Sequence, residues 1–412
     1  MKRLHFLFSM AMLALSSMLF MSACESDLPE DGGKEIVLSR SEQEMVSQGN
    51  GFTFNFLNQM IGMYPGKNLL LSPLSLSEVL AMLANGANGD THSEILSTLG
   101  FTGNSMEEVN AYLKTLHSGL LAADPRTKLA LANSVWIADE VTVKNTFTEA
   151  LKVNYDAEVN VLPFDDKMVG KVNDWCTRKT YGKITKFLDE VPRAEMILLN
   201  ALYFKGSWKE KFNKNKTAEK VFYREGGFTM KADFMRGTFE THCYSDKEEP
   251  FKVLRLPYGN NAFSMIIALP DEGLNVDEFA QSITAEEWQR WINGMKEYSK
   301  VYVEMPKFKQ EFDFNLKETL KAMGINEAFA ATADFSGISD DNGLYVDEIK
   351  QKTYIEVNED GSTVAAVTGM SGCTSPGFDE ERPKFIINRP FIYAIQERSS
   401  GAILFVGKIA EP

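Results

Sequence analysis

Apolar residues recur at helical spacing early in the chain and at strand spacing later. Over 75–85, Leu76, Val79, Leu80 and Leu83 share one helical face just after Ser72-Pro73, a start signal that presets the first backbone turn. The same period continues through 93–99 and 106–121. Apolar and β-branched runs then take over at 129–138, 197–204, 253–269, 301–308 and 391–395, with an alternating strand at 353–358. Helices first and long strands afterwards predict an α+β fold with no βαβ alternation. Between residue 48 and Pro412 there is no linker, low-complexity tract or fixed-period repeat, so 48–412 is expected to form one unit.

The N-terminus does not belong to that pattern. Lys2 and Arg3 precede an apolar run from Leu4 to Phe20, and Met21-Ser22-Ala23-Cys24 follows, which is the layout of an export signal over 1–23. Small residues just before a cysteine resemble the lipobox of bacterial lipoproteins, and this implies cleavage before Cys24 and acylation of its thiol. Residues 24–47 are rich in Asp, Glu, Ser and Gly, and they are expected to form an acidic flexible tether. With Cys24 lipidated, the protein is expected on the outer membrane or cell surface of a Gram-negative bacterium. A plain secretory peptide leaves it secreted or periplasmic.

Charge and chemistry remove several classes. Forty-three Lys and Arg against 57 Asp and Glu give a net charge of -14, so nucleic acid phosphates are not an expected partner. Four cysteines, Cys24, Cys176, Cys243 and Cys373, are too dispersed for a disulfide framework or a zinc cluster, and no metal or cofactor is expected. Of the histidines beyond the leader, His92, His117 and His242 are each expected in ordinary surface or capping roles. No HExxH, CxxC, GxSxG or phosphate-loop pattern occurs, so enzymatic activity has no positive support. A hydrolase whose triad is distant in sequence stays as one alternative, because triads are defined by geometry.

The segment 361–378, GSTVAAVTGMSGCTSPGF, has no charge in a chain where 24% of residues are charged. Val364, Ala365, Ala366 and Val367 suit a strand better than a linker. The segment reads as either loop or strand.

Several separated motifs resemble the serpins, the serine protease inhibitor family, over essentially all of 50–410. They are Asn68-Leu-Leu-Leu-Ser-Pro-Leu-Ser75 with Leu83-Ala-Asn-Gly-Ala-Asn-Gly-Asp-Thr91, and Asn200-Ala-Leu-Tyr-Phe-Lys-Gly-Ser-Trp208. Leu256-Pro-Tyr-Gly, Val301-Tyr-Val-Glu-Met-Pro-Lys-Phe308, Asn388-Arg-Pro-Phe391 and Leu404-Phe-Val-Gly-Lys408 follow in order. The resemblance implies a serpin fold of three β-sheets and eight or nine helices with an exposed reactive loop over about 359–381. It implies an irreversible, suicide-substrate inhibitor of endopeptidases and not an enzyme: the loop is cleaved as bait, then inserts into the central sheet with the acyl-enzyme attached. A non-inhibitory member acting as a binding or chaperone module is the alternative.

The resemblance also assigns residues. Glu359, Gly361, Ser362, Thr363, Val364, Ala365 and Ala366 take the hinge, and Ser72, Ser75, Asn200, Trp208 and Gln351 take the sheet-opening region. Gln351 stands where the family usually has a His that bonds the Asn200 equivalent, and an amide supplies both donor and acceptor. Uncharged residues suit a segment that later sits inside a sheet, where an unpaired charge costs several kcal/mol. Roughly 15 inserted residues at ~3.3 Å each carry a bound protease about 50 Å. Counting forward from Glu359 puts the bait at Ser375, while counting back from Phe391 puts it near Asp379, so the candidates are Cys373, Thr374, Ser375 and Phe378. No Lys or Arg lies between Asp360 and Arg382, which disfavours trypsin-like targets. The expected partner is an elastase-like serine protease, then a papain-like cysteine protease. The protein is expected to be a monomer.

Overall fold

The computed structural model describes residues 33–341, 343–361 and 383–412. The chain runs α1 Arg40–Met63, β1 Leu69–Leu71, α2 Pro73–Ala84, α3 Gly89–Leu99, α4 Met106–Ala123 and β2 Lys128–Ile137. It continues through α5 Asn145–Tyr155, β3 Glu158–Val161, α6 Asp166–Lys179, β4 Met196–Lys205, β5 Ala218–Tyr223 and β6 Thr229–Ser245. Next come β7 Phe251–Pro257, β8 Phe263–Pro270, α7 Val276–Gln281, α8 Ala285–Gly294, β9 Lys296–Pro306 and β10 Phe308–Asn315. The last are α9 Lys317–Ala322, β11 Lys350–Val357, β12 Lys384–Ile386, β13 Phe391–Glu397 and β14 Ile403–Ile409.

Nine α-helices and three sheets thus make an α+β fold among the described residues, as the sequence led us to expect. The largest sheet has nine strands in the order β1-β14-β13-β8-β7-β6-β9-β12, with β5 on β6. The other two are small: β3-β2-β4 and β10-β11.

Helix α2 is the hub. All of its residues are buried, which fits a segment that is apolar on nearly every side. It packs against β2 and β4 of one small sheet and against β14. Strand β4 is buried on both faces by strict alternation: Met196, Leu198, Leu202 and Phe204 join the main core. Ile197, Leu199 and Ala201 join a second core with Trp175 and Cys176 of α6 and Phe187 beyond it.

Two boundaries differ from the sequence reading. The tether expected over 24–47 ends earlier, because α1 starts at Arg40 with a reciprocal Ser39–Glu42 capping box, and Ile36 and Leu38 are buried. The apolar run 253–269 is two strands, since Tyr258 to Asn261 turn the chain with positive φ at Gly259 and Asn261.

Candidate functional site

Strands β4 and β11 lie side by side, yet they belong to different sheets and no ladder joins them among the described residues. Their C-terminal ends converge on one corner, where Ser207 bridges Gly361. The result is a seam across which the described residues form no backbone ladder. A seam of this kind leaves backbone groups that a further strand can pair.

The middle of the seam rests on α2. From the β11 side, Gln351 Oε1 accepts from the Ser72 N–H at 3.0 Å and Gln351 Nε2 donates to the Ser72 carbonyl at 2.8 Å. Ser72 Oγ lies 2.7 Å from Ser75 Oγ and donates to the Leu404 carbonyl at 3.1 Å. On the β4 side, Asn200 donates to Asn133 Oδ1 of β2 at 2.7 Å, and Asn133 donates to Glu78 of α2 at 2.7 Å. Asn200 Oδ1 is buried without a hydrogen-bond partner. Gln351 therefore does not bond Asn200, which corrects the arrangement implied by the family resemblance. Its amide satisfies both backbone groups of Ser72.

At the corner the chain leaves β11 through a tight turn, with Asn358 N–H donating to Gly361 O at 3.0 Å and Gly361 N–H to Asn358 O at 3.1 Å. Gly361 has φ +116°, and a Cβ there would meet Gly206 O at 2.3 Å and Trp208 N at 2.5 Å. Only glycine fits so close to another backbone. Trp208 seals the corner: its ring stacks on Tyr258 at 4.4 Å, and its indole N–H donates to Asn358 O at 2.9 Å. Backbone bonds run from Trp208 N–H to Asp360 O and from Phe212 N–H to Glu359 O.

Charge fastens the same turn. Glu359 Oε1 accepts from Thr217 at 2.7 Å and pairs with Lys307 at 3.4 Å. Asp360 pairs with Lys214 at 2.6 Å and Lys211 at 3.5 Å. Burial opposes ionisation of Glu359, but the Thr217 hydroxyl, its own N–H and Lys307 outweigh it and lower its pKa. The Lys214 hydrogen bond holds Asp360 below its usual range against the cost of partial burial.

The structure thus brings together Ser72, Ser75 and Gln351 at the middle of the seam, with Asn200 facing α2 through Asn133. Trp208 joins Glu359 and Gly361 at the corner instead. The remaining hinge residues Ser362, Thr363, Val364, Ala365 and Ala366 lie outside the described residues, as do Cys373, Thr374, Ser375, Phe378 and Cys24. Residues missed from sequence are Glu78, Asn133, Thr217, Lys211, Lys214 and Lys307. Glu78 carried a signal, being a lone carboxylate in an apolar helix.

His117 corrects another expectation. It is buried on α4, not exposed, and its Nδ1 lies 3.0 Å from Glu78 Oε1. No Ser, Thr or Cys side chain bonds its other ring nitrogen among the described residues, so this pair is not part of a triad. Burial pushes the Cys176 and Cys243 thiols up to about 12 and about 11, so neither is a nucleophile at neutral pH. Among the described residues no metal-binding group of His, Cys, Asp and Glu assembles.

Comparison with known proteins agrees with this geometry. The family model for Serpin (serine protease inhibitor) matches residues 47–412. Serpin I2 of Homo sapiens is 31% identical over 363 residues, covering 86% of this chain and 89% of its own. Intracellular coagulation inhibitor 2 of Tachypleus tridentatus is 32% identical, covering 90% and 92%. Among solved structures, the thermophilic serpin tengpin in its native state superposes with a TM-score of 0.83 at 30% identity, covering 92% of this chain and 96% of its own. Thyroxine-binding globulin in complex with thyroxine superposes at 0.81 with 28% identity, covering 90% and 99%. The chain, with its seam between β4 and β11 and its clamped turn at Gly361, belongs to the serpin family of protease inhibitors.

Proposed function

We propose that this serpin is an irreversible suicide-substrate inhibitor that traps endopeptidases by inserting its cleaved loop into the seam between β4 and β11. The observation that carries this reading is the seam itself, two converging strands with no ladder between them among the described residues, held by side chains. A target nucleophile attacks the bait carbonyl, the peptide bond breaks, and the new amino terminus departs with the C-terminal part of the loop. The acylated residues from Ser362 onward then enter the seam, where new backbone pairs are worth roughly 0.5–1.5 kcal/mol each. Inhibition is a race between this insertion and hydrolysis of the acyl-enzyme.

Small uncharged residues from Cys373 to Ser375 suit an elastase-like serine protease, and a papain-like cysteine protease is the next candidate. The test is incubation with elastase: an adduct stable to SDS and boiling is expected, and complete cleavage with full protease activity remaining would overturn the reading. That second outcome would favour a non-inhibitory role, which the likeness to thyroxine-binding globulin keeps in view. The N-terminal pattern supports a further proposal, that Cys24 is lipidated and holds the protein on a Gram-negative outer membrane or cell surface. Cys24→Ala should shift the protein to the soluble fraction, and equal membrane recovery would sink the anchor.

A further inference from the structure

Helix α2 grips both sides of the seam. Ser72 in front of it holds Gln351 of β11, and Glu78 within it holds Asn133, the residue that tethers Asn200 of β4. Glu78 is 1% exposed, and its two oxygens are shared between two donors: His117 Nδ1 at Oε1 and Asn133 Nδ2 at Oε2. Because β2 and β4 are joined by a continuous ladder from Lys128↔Lys205 to Ile137↔Met196, parting the seam moves both strands over α2. The Asn133–Glu78 bond at 2.7 Å is then the shorter of the two side-chain bonds that must break, the other being Asn133 to the Tyr155 carbonyl at 3.3 Å.

We infer that His117 and Glu78 are positioning residues for sheet opening, and that the proton on His117 decides how firmly Glu78 holds Asn133. The inference rests on the proposal that the seam admits a strand. With His117 protonated, Glu78 is balanced by a full positive charge and needs Asn133 least. With His117 neutral, loss of Asn133 leaves a buried carboxylate on a single neutral hydrogen bond, which is costly. Protonation therefore eases the seam.

The same proton steadies the fold as a whole. Burial disfavours the imidazolium, but the hydrogen bond and charge of Glu78, with Asp156 beyond α5, raise the His117 pKa. Its contribution to stability is complete below about pH 6.5 and is lost as pH rises through the higher folded value. The other ionisable group in this network, Tyr155 of α5, donates its hydroxyl to Asn110 and is pushed far above neutral pH by burial. Acid thus strengthens the fold while loosening the seam, and a merely structural role would not separate the two.

The test is amide hydrogen exchange of β4 and β11 in the full chain between pH 5.5 and 8.5, against His117→Asn, which keeps a neutral donor. The wild-type to variant ratio should rise about three- to tenfold as pH falls through the raised His117 value, and approach one above it. Glu78→Gln should flatten the profile in the same way. A ratio independent of pH overturns the inference. Should neither variant fold, β4 and β11 amides of the wild type, corrected for intrinsic exchange and referenced to β13, must show the same rise. Failure of loop cleavage to stabilise the wild type would instead sink the insertion reading, so the two outcomes are distinguishable.

Discussion

Trp208 is 4% exposed and does three things at once: it stacks on Tyr258, meets Phe212 edge-on at 6.1 Å, and donates to Asn358. Trp208→Ala should lower native stability by roughly 3–5 kcal/mol, measured by denaturant unfolding, because a large cavity opens where the corner cannot collapse. A loss under about 1 kcal/mol would mean that the corner is held by its backbone bonds alone. The carboxylates beside it give a pH dependence with a definite sign. Glu359 and Asp360 have folded pKa values lowered from their ordinary ones, so their contribution is present above about pH 4.3 and fades as pH falls through the lowered values. Melting curves of wild type and Asp360→Asn should therefore differ at neutral pH and converge as pH falls through the lowered Asp360 value. A constant difference across that range would rule out the ionised Asp360 as a fastener.

At the scale of elements, periodicity located what packing enforces and missed what capping enforces. Helix α2 and strands β2 and β4 were legible because their apolar residues face cores on one or both sides. The first turn of α1 was not, since residues 40–44 face solvent and the helix start is held by the Ser39–Glu42 box. His117 was misplaced although its spacing was informative: it lies on the face of α4 shared by Leu113, Leu116 and Leu120, all buried. Of the described site residues, Ser72, Ser75, Asn200, Gln351, Glu359 and Gly361 were named through family motifs. The Gln351–Ser72 pairing was not, because it depends on how β11 docks over α2. Lys211, Lys214, Thr217 and Lys307 reach the turn at 359–360 from segments distant in sequence. No local pattern marks such an assembly.

Across the whole molecule, the seam is where β4 and β11 adjoin with no ladder between them among the described residues, and it is fastened at two places. Gln351 on Ser72 secures the middle, and Trp208 with the Glu359 and Asp360 ion pairs secures the corner. The packing of α6 against β4 and Tyr354 covers one face of the seam, so the proposed insertion would displace side chains there as well. Persistence of such a state is set by the barrier to opening and not by the depth of the equilibrium minimum. On the proposed mechanism, cleavage within the loop frees a strand that completes the pairing of β4 and β11. The most direct measurement is the melting temperature before and after a single cut between Cys373 and Phe378. The account predicts a large rise in the cut protein, and an unchanged or lower melting temperature would contradict it.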